Sequence, residues 1–282
     1  MLRRVLLFVV LLGVGLNSVF SLSVDRDIAI SLEEKQIQDL SCRGLNLVFY
    51  LNLANSSDKT YYLTGYNYRF VVNQTQYFRL NTPVEGGLRI EAAKTTLLAL
   101  PVKITYELLF QAIPEIAKED IVACYMMGEM IFSDQRGKKK GEIPFAFNGE
   151  IPIFREPGIK LTQLGIKTLT IGGADLDVGV TLTNDNGVPL DIEEIRYNLK
   201  FGGNPVKNSQ VRGKKTIEPH GEAVFSIPFL LDFFEMDLEL RALLQQTALD
   251  CQFMGEFGIH TKWGQVVVPF DVTEQIVIVK IE

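Results

Sequence analysis

The sequence predicts a mainly β protein built from two tandem antiparallel β-sandwiches, each with one short helix, behind an N-terminal hydrophobic segment. Three observations carry that prediction. Apolar residues alternate with period two along most of the chain, the chain matches itself at a shift near 129 residues, and its first 23 residues differ in composition from everything after them. Its 282 residues are 47% hydrophobic and 22% charged with a formal net charge of −6, enough for one large or two medium domains. No concentrated basic face accompanies that mild acidity, which argues against a nucleic-acid partner.

The opening segment, residues 1–23, has the order of an export signal. Arg3 and Arg4 form a positive start, Val5 to Leu16 an unbroken apolar run, and Asn17 to Ser23 a small, polar exit. Val19/Ser21 or Ser21/Ser23 can serve as the cleavage pair. The uncharged stretch from Val5 to Leu22 also reaches the lower length limit for spanning a bilayer, so an uncleaved anchor is the rival reading. Shortness of the apolar core favours cleavage. On either reading the chain is expected to be exported, periplasmic or extracytoplasmic, or to be tethered to a membrane through residues 5–22.

The internal match sets the expected domains. Ile30 to Asn55 lies over Ile159 to Asn184 at a shift of 129, and the same shift superposes Tyr68 on Tyr197. A shift of 127 places "IEAAKTTLLALP" over "IEPHGEAVFSIP", Pro101 over Pro228, and "CYMMGEM" over "CQFMGEF", with Cys124 over Cys251. Ordered matches over about 120 residues denote a duplicated domain, not a solenoid of ~20–50-residue repeats. The expected boundaries are 28–154 for the first copy, 155–158 for a short linker and 159–282 for the second copy.

Within each copy, "LNLVFYLNL" and "ADLDVGVTLT" alternate as half-buried strands do, as do "YYLTGYNYRFVV" and "DIEEIRYNLKF". "TTLLALPV" and "AVFSIPFLL" are denser apolar runs, expected of a strand near the middle of a sandwich. A helix is expected in "ELLFQAIPEIAKEDIVA", shortened or bent by Pro114, and another where Met236, Leu240, Leu243, Leu244 and Thr247 form one face.

These signatures, in this order and found twice, resemble the WHy (water stress and hypersensitive response) domain of the late-embryogenesis-abundant type 2 proteins. The family's turn usually reads Asn-Pro-Asn. Copy two has Asn184-Asp185-Asn186, whereas copy one keeps only Asn55, followed by Ser56 and Ser57. The resemblance implies a fibronectin-III-like or Ig-like sandwich, a non-enzymatic role in desiccation or water stress, and no cofactor. Its expected partners are client proteins or lipid headgroups. An envelope tether or lipid-binding adaptor is the alternative, and an enzyme with a site between the two copies is a more distant one.

Candidate chemistry is sparse. With Gly187 at position six of a calcium loop, Asn184, Asn186 and Glu193 fall on ligand positions, but position one falls on Leu182, which cannot ligate. A structural turn is the stronger reading, because Asn and Gly suit turn geometry. His220 and His260 lack metal companions at ligand spacing and read as exposed turn residues. Cys124 and Cys251 are expected to be buried in separate copies, and Cys42, over Ile171, is expected in an apolar slot. Arg136, Lys138, Lys139 and Lys140 concentrate in one hairpin, a candidate membrane contact whose plain reading is a solvated turn. Asn55-Ser56-Ser57 and Asn73-Gln74-Thr75 are glycosylation sequons. The domain signature therefore comprises Asn55, Asn184, Asn186, Tyr68, Tyr197, Pro101, Pro228, Cys124 and Cys251, all expected to be structural.

Overall fold

In the computed structural model, which describes residues 24–234 and 238–280, alternation becomes sheet. The leader 1–23 and Met236 lie outside the described residues, as does the side chain of Leu240. A short helix, α1 (Val24–Asp27), leads into β1 (Ile28–Ser41), β2 (Gly44–Asn55), β3 (Tyr61–Val72), β4 (Thr75–Ile90) and β5 (Thr95–Thr105). Helix α2 (Tyr106–Ala112) and a 3-10 turn (Pro114–Lys118) precede β6 (Ile121–Ser133) and β7 (Lys139–Pro152). The strands form two sheets, β1-β2-β5 and β4-β3-β6-β7.

The second unit repeats this order with β8 (Gly158–Leu169), β9 (Gly173–Thr183), β10 (Leu190–Phe201), β11 (Asn204–Ile217), β12 (Glu222–Asp232), α3 (Leu238–Leu243), β13 (Ala248–Thr261) and β14 (Gly264–Lys280). Here β8-β9-β12 and β11-β10-β13-β14 correspond to the two sheets of the first unit. A parallel pairing of β14 with β8 (Val277 to Lys280 on Gln163 to Ile166) joins them into one seven-stranded sheet.

Each central strand turns one face inward. On β9, Ala174, Leu176, Val178, Val180 and Leu182 are buried at every second position. On β2, Leu45, Leu47, Phe49, Leu51 and Leu53 do the same. The two sheets of the first unit meet across this core: a Cβ added at Gly149 of β7 would touch Cys124, Phe49 and Leu47. Tyr68 and Tyr197 also point inward, and Cys124 and Cys251 are fully buried. Burial pushes both thiols, and the Tyr68 phenol, up to about 12.

The repeat extends to details of the backbone. Asn73 and Gln74 take positive φ in the two-residue turn between β3 and β4, where Gly202 and Gly203 do so between β10 and β11. Gly128 and Gly255 hold equivalent places on β6 and β13. A Cβ at either would overlap the carbonyl oxygen of Asn67 or Arg196 on the neighbouring strand, so only glycine fits.

Some expectations change. The dense runs with Pro101 and Pro228 lie at sheet edges: among the described residues β5 pairs only with β2, and β12 only with β9. Proline has no N–H for a ladder, so an edge strand is where it is tolerated, and it also blunts that edge against further pairing. The first helix stops at Ala112 because Pro114 starts a 3-10 turn, and the second covers only six residues, with Leu244 buried and Thr247 exposed beyond it. His260 lies in β13 and not in a turn, while His220 sits in a turn at φ 54°.

Gly255→Ala is expected to destabilise the protein by about 1–3 kcal/mol, the range for forced overpacking. Gly258→Ala on the same strand, whose Cβ would meet only ordinary contacts at 3.6 Å or more, is expected to be near neutral. Urea unfolding of the two variants checks the difference.

Candidate functional site

The Asn184 turn lies where the chain passes from one sheet to the other. β9 pairs with β8 and β12, whereas β10 pairs with β11 and β13, so the two strands flanking the turn share no ladder. A corner of this kind leaves strand ends with unpaired backbone groups, and a buried side chain must satisfy them. Asn184, fully buried, does this with its amide. Its Nδ2 donates to the carbonyls of Val188 (2.8 Å), Ile217 (3.1 Å) and Glu218 (3.0 Å), two hydrogens serving three acceptors. Its Oδ1 accepts from the backbone N–H and the Nδ2 of Asn186 at 2.9 and 3.1 Å.

Asn55 repeats the arrangement residue for residue. Its Nδ2 donates to the carbonyls of Lys59, Ile90 and Glu91, and its Oδ1 accepts from the N–H and hydroxyl of Ser57. The backbone follows suit: Asn55 N–H donates to Lys94 and Ala93 N–H to Ser57, as Asn184 N–H does to Gly221 and His220 N–H to Asn186. Each asparagine therefore ties the corner to the end of the strand that closes the opposite sheet.

This geometry uses up the oxygens that a calcium loop would need. Asn184 Oδ1 faces Asn186, Asn186 Oδ1 accepts the backbone N–H of Arg155 at 2.7 Å, and Leu182 is buried. Among the described residues no three His, Cys, Asp or Glu side chains converge at metal distance. Asn55 is likewise committed within the fold, which leaves Asn73, exposed in its turn, as the accessible sequon.

The second asparagine performs a task that the sequence did not reveal. Asn186 exchanges two hydrogen bonds with the backbone of Arg155, whose N–H it accepts and whose carbonyl receives its Nδ2 at 3.1 Å. The Arg155 guanidinium then reaches back to the first unit. It pairs with Asp120 at 2.7 Å and donates to the carbonyls of Ala117 and Glu119, and also to that of Asp185. His220 Nε2 lies 3.4 Å from the other oxygen of Asp120. Tyr106 of α2 pins the linker from inside, donating to Pro152 O at 2.7 Å and accepting the N–H of Phe154. Asp120 and Arg155 are 35 residues apart and on no common periodic face, so only the fold brings them together.

The joint also explains the cysteine at position 42. Cys42 packs against the core, as expected of an apolar slot, whereas Ile171, its counterpart, is 79% exposed. Cys42 lies at the end of the first unit that faces the linker, and burial, aided by Glu156, pushes its thiol up to about 12. All three cysteines are free thiols.

The basic hairpin is only partly basic. Lys139 pairs with Glu142 at 2.5 Å and Lys140 with Asp134 at 2.8 Å, while the Asp134 carboxylate also accepts the N–H groups of Arg136 and Lys138. Arg136 and Lys138 have no ion pair among the described residues. Their tip stands at the end of the first unit where the chain enters from residue 24, since Ser133 pairs with Tyr62 and Asp27 accepts from Ser56.

Comparison with known proteins follows these features. The sequence model of one family, described as late embryogenesis abundant protein, matches residues 179–274, which begin in β9 and span the Asn184 corner. No curated protein matches the chain. Among solved structures, one from Archaeoglobus fulgidus covers 43% of this chain and 94% of its own at 12% identity and a TM-score of 0.30. Red sea bream transglutaminase covers 90% of this chain, which spans only 31% of that enzyme, at 12% identity and 0.30. A structural-genomics target covers 44% of this chain and 88% of its own at 11% and 0.31. Likenesses this distant carry no argument about fold or function.

Asn184→Ala removes the donor from two buried carbonyls and one part-buried carbonyl and is expected to cost at least about 2 kcal/mol. Asn55→Ala is expected to cost a comparable amount in the first unit. Urea denaturation followed by tryptophan emission for the second unit and by circular dichroism for the whole checks both. A loss under about 0.5 kcal/mol, the scale of a surface change, would show that the corners do not depend on these amides.

Proposed function

We propose that the chain is a non-enzymatic late-embryogenesis-abundant type 2 protein with two WHy domains. Each is a fibronectin-III-like β-sandwich, and together they act as a protective or interaction module during water stress, exported or held at a membrane by residues 1–23. One observation carries the reading. The asparagine bracket of the family-matched unit recurs with the same donors and acceptors in the unit outside the match, which extends the resemblance to both. The joint between units is filled by Arg155, Asp120 and Asn186, which favours a binding or shielding role for the outer surfaces over chemistry between the units.

Drying a labile enzyme with and without the purified chain tests the role. The expected result is retained activity at a low molar ratio, beyond what serum albumin provides at equal mass. Protection no better than albumin would count against the stress reading.

A second reading, a lipid-binding adaptor, has one observation in its favour: the hairpin tip with Arg136 and Lys138 lies at the entry end of the first unit, facing any membrane that holds the leader. That reading predicts stronger flotation with anionic than with neutral vesicles, and loss of the difference in the R136E/K138E double variant. Equal flotation of both proteins with both vesicles would remove it.

A further inference from the structure

The outward face of β3, β4 and β6 in the first unit carries a group of polar side chains that the fold does not use. Arg69 stands directly across from Arg79 in the antiparallel register, with Asn67, Gln76 and Glu129 around them in one shallow groove. Side chains directly opposite in a ladder have Cβ atoms about 4.5–5.5 Å apart, and like charges there are destabilising. A folded protein usually offsets such a pair with a nearby carboxylate. Here, among the described residues, none of these five side chains has an internal hydrogen-bond or ion-pair partner.

The second unit is an internal control, because the same four ladder positions are filled differently. Arg69 and Arg79 correspond to Asn198 and Asn208, which again face each other. Asn67 and Glu129 correspond to Arg196 and Glu256, also paired across the ladder. Arg196 is fully neutralised by Glu256 and Glu194, each at 2.7 Å. Hydrogen bonds from Arg212 and Arg196 hold the Glu194 carboxyl below the usual carboxylate range. One unit thus closes its charges on this face, while the other places two arginines opposite each other in the ladder, with no ion-pair partner among the described residues. Met127, directly across from Arg69 on β6, lines the groove beside them.

We propose that this face of the first unit is a binding site for a phosphate-type oxyanion, held between the Arg69 and Arg79 guanidiniums. Two planar forks on adjacent strands match a tetrahedral, multiply charged group, which accepts several hydrogen bonds and removes the repulsion between them. Asn67 and Gln76 supply neutral donors at the margins, and Glu129, across from Asn67, can accept from a hydroxyl on the ligand. The source is a free phosphate or a phosphate in a lipid headgroup. The site is independent of the stress role and of the Arg136/Lys138 hairpin.

The test uses the purified chain in sodium chloride and in sodium phosphate at equal pH and ionic strength. Phosphate is expected to raise the melting temperature of the wild type by about 2–5 °C over chloride, as linkage to a folded-state ligand requires. The R69N/R79N double variant, which takes the residues of the second unit, is expected to melt higher than wild type in chloride and to lose the phosphate increment. Saturable broadening of the phosphorus-31 signal of phosphate by the wild type is a second readout that needs no variant. Co-sedimentation with phosphatidic acid vesicles, competed by free phosphate and lost in R69N/R79N, identifies the headgroup source. A melting shift without vesicle binding identifies the soluble one. Absence of both the phosphate-specific shift and the phosphorus-31 broadening, or an equal shift in R69N/R79N, overturns the proposal.

Discussion

The rest of the structure depends on a buried asparagine amide at a corner. A chain that folds as two sheets must cross between them, and the crossing frees backbone carbonyls that neither sheet can pair. An unpaired buried carbonyl costs more than a single hydrogen bond contributes, so a corner without a satisfying group would open to water. Asn184 and Asn55 solve the problem identically, with both ends of the amide engaged. Serine or threonine lacks the second donor, and aspartate would set a charge against carbonyl oxygens. The residue type follows from the task.

The same corner determines how the units join. In the first unit the groups beside Asn55 are met by its own Ser57 and by Asp27, where α1 ends. In the second, the matching position is Asn186, which binds the backbone of the linker, and Arg155 carries the connection on to Asp120. Because the chain enters each unit at its corner end and leaves at the other, the copies follow head to tail. This asymmetry accounts for Cys42, covered at the joint, and Ile171, left in solvent, although they hold equivalent sequence positions.

Much of the architecture was legible in the sequence for physical reasons. Period-two burial is a local property, so β2 and β9 can be read from alternation alone, and the 129-residue shift aligns two runs of strands that follow the same order. Order within a sheet was not legible. The dense runs around Pro101 and Pro228 read as central, but they lie at edges, and only the missing proline N–H hinted at this. Nor could the sequence show that the strands beside Asn184 belong to different sheets. Asp120 with Arg155, and Arg69 with Arg79, are meetings created by register, and a single sequence contains no signal of register across a joint or a ladder. Asn suits a turn on residue type alone, yet two of the three carbonyls that each asparagine amide meets belong to residues more than 30 positions away.

Amide and side-chain hydrogen exchange followed by NMR addresses the bracket most directly. If the corners are closed by Asn55 and Asn184, the N–H groups of Asn55, Ala93, Asn184 and Asn186 and the two asparagine NH₂ groups should exchange only through global unfolding. They should then share the protection of the core amides of Leu51 and Val180. Exchange of these corner groups on the fast timescale of the Gly137 and Lys262 turns, with the core still protected, would contradict the account.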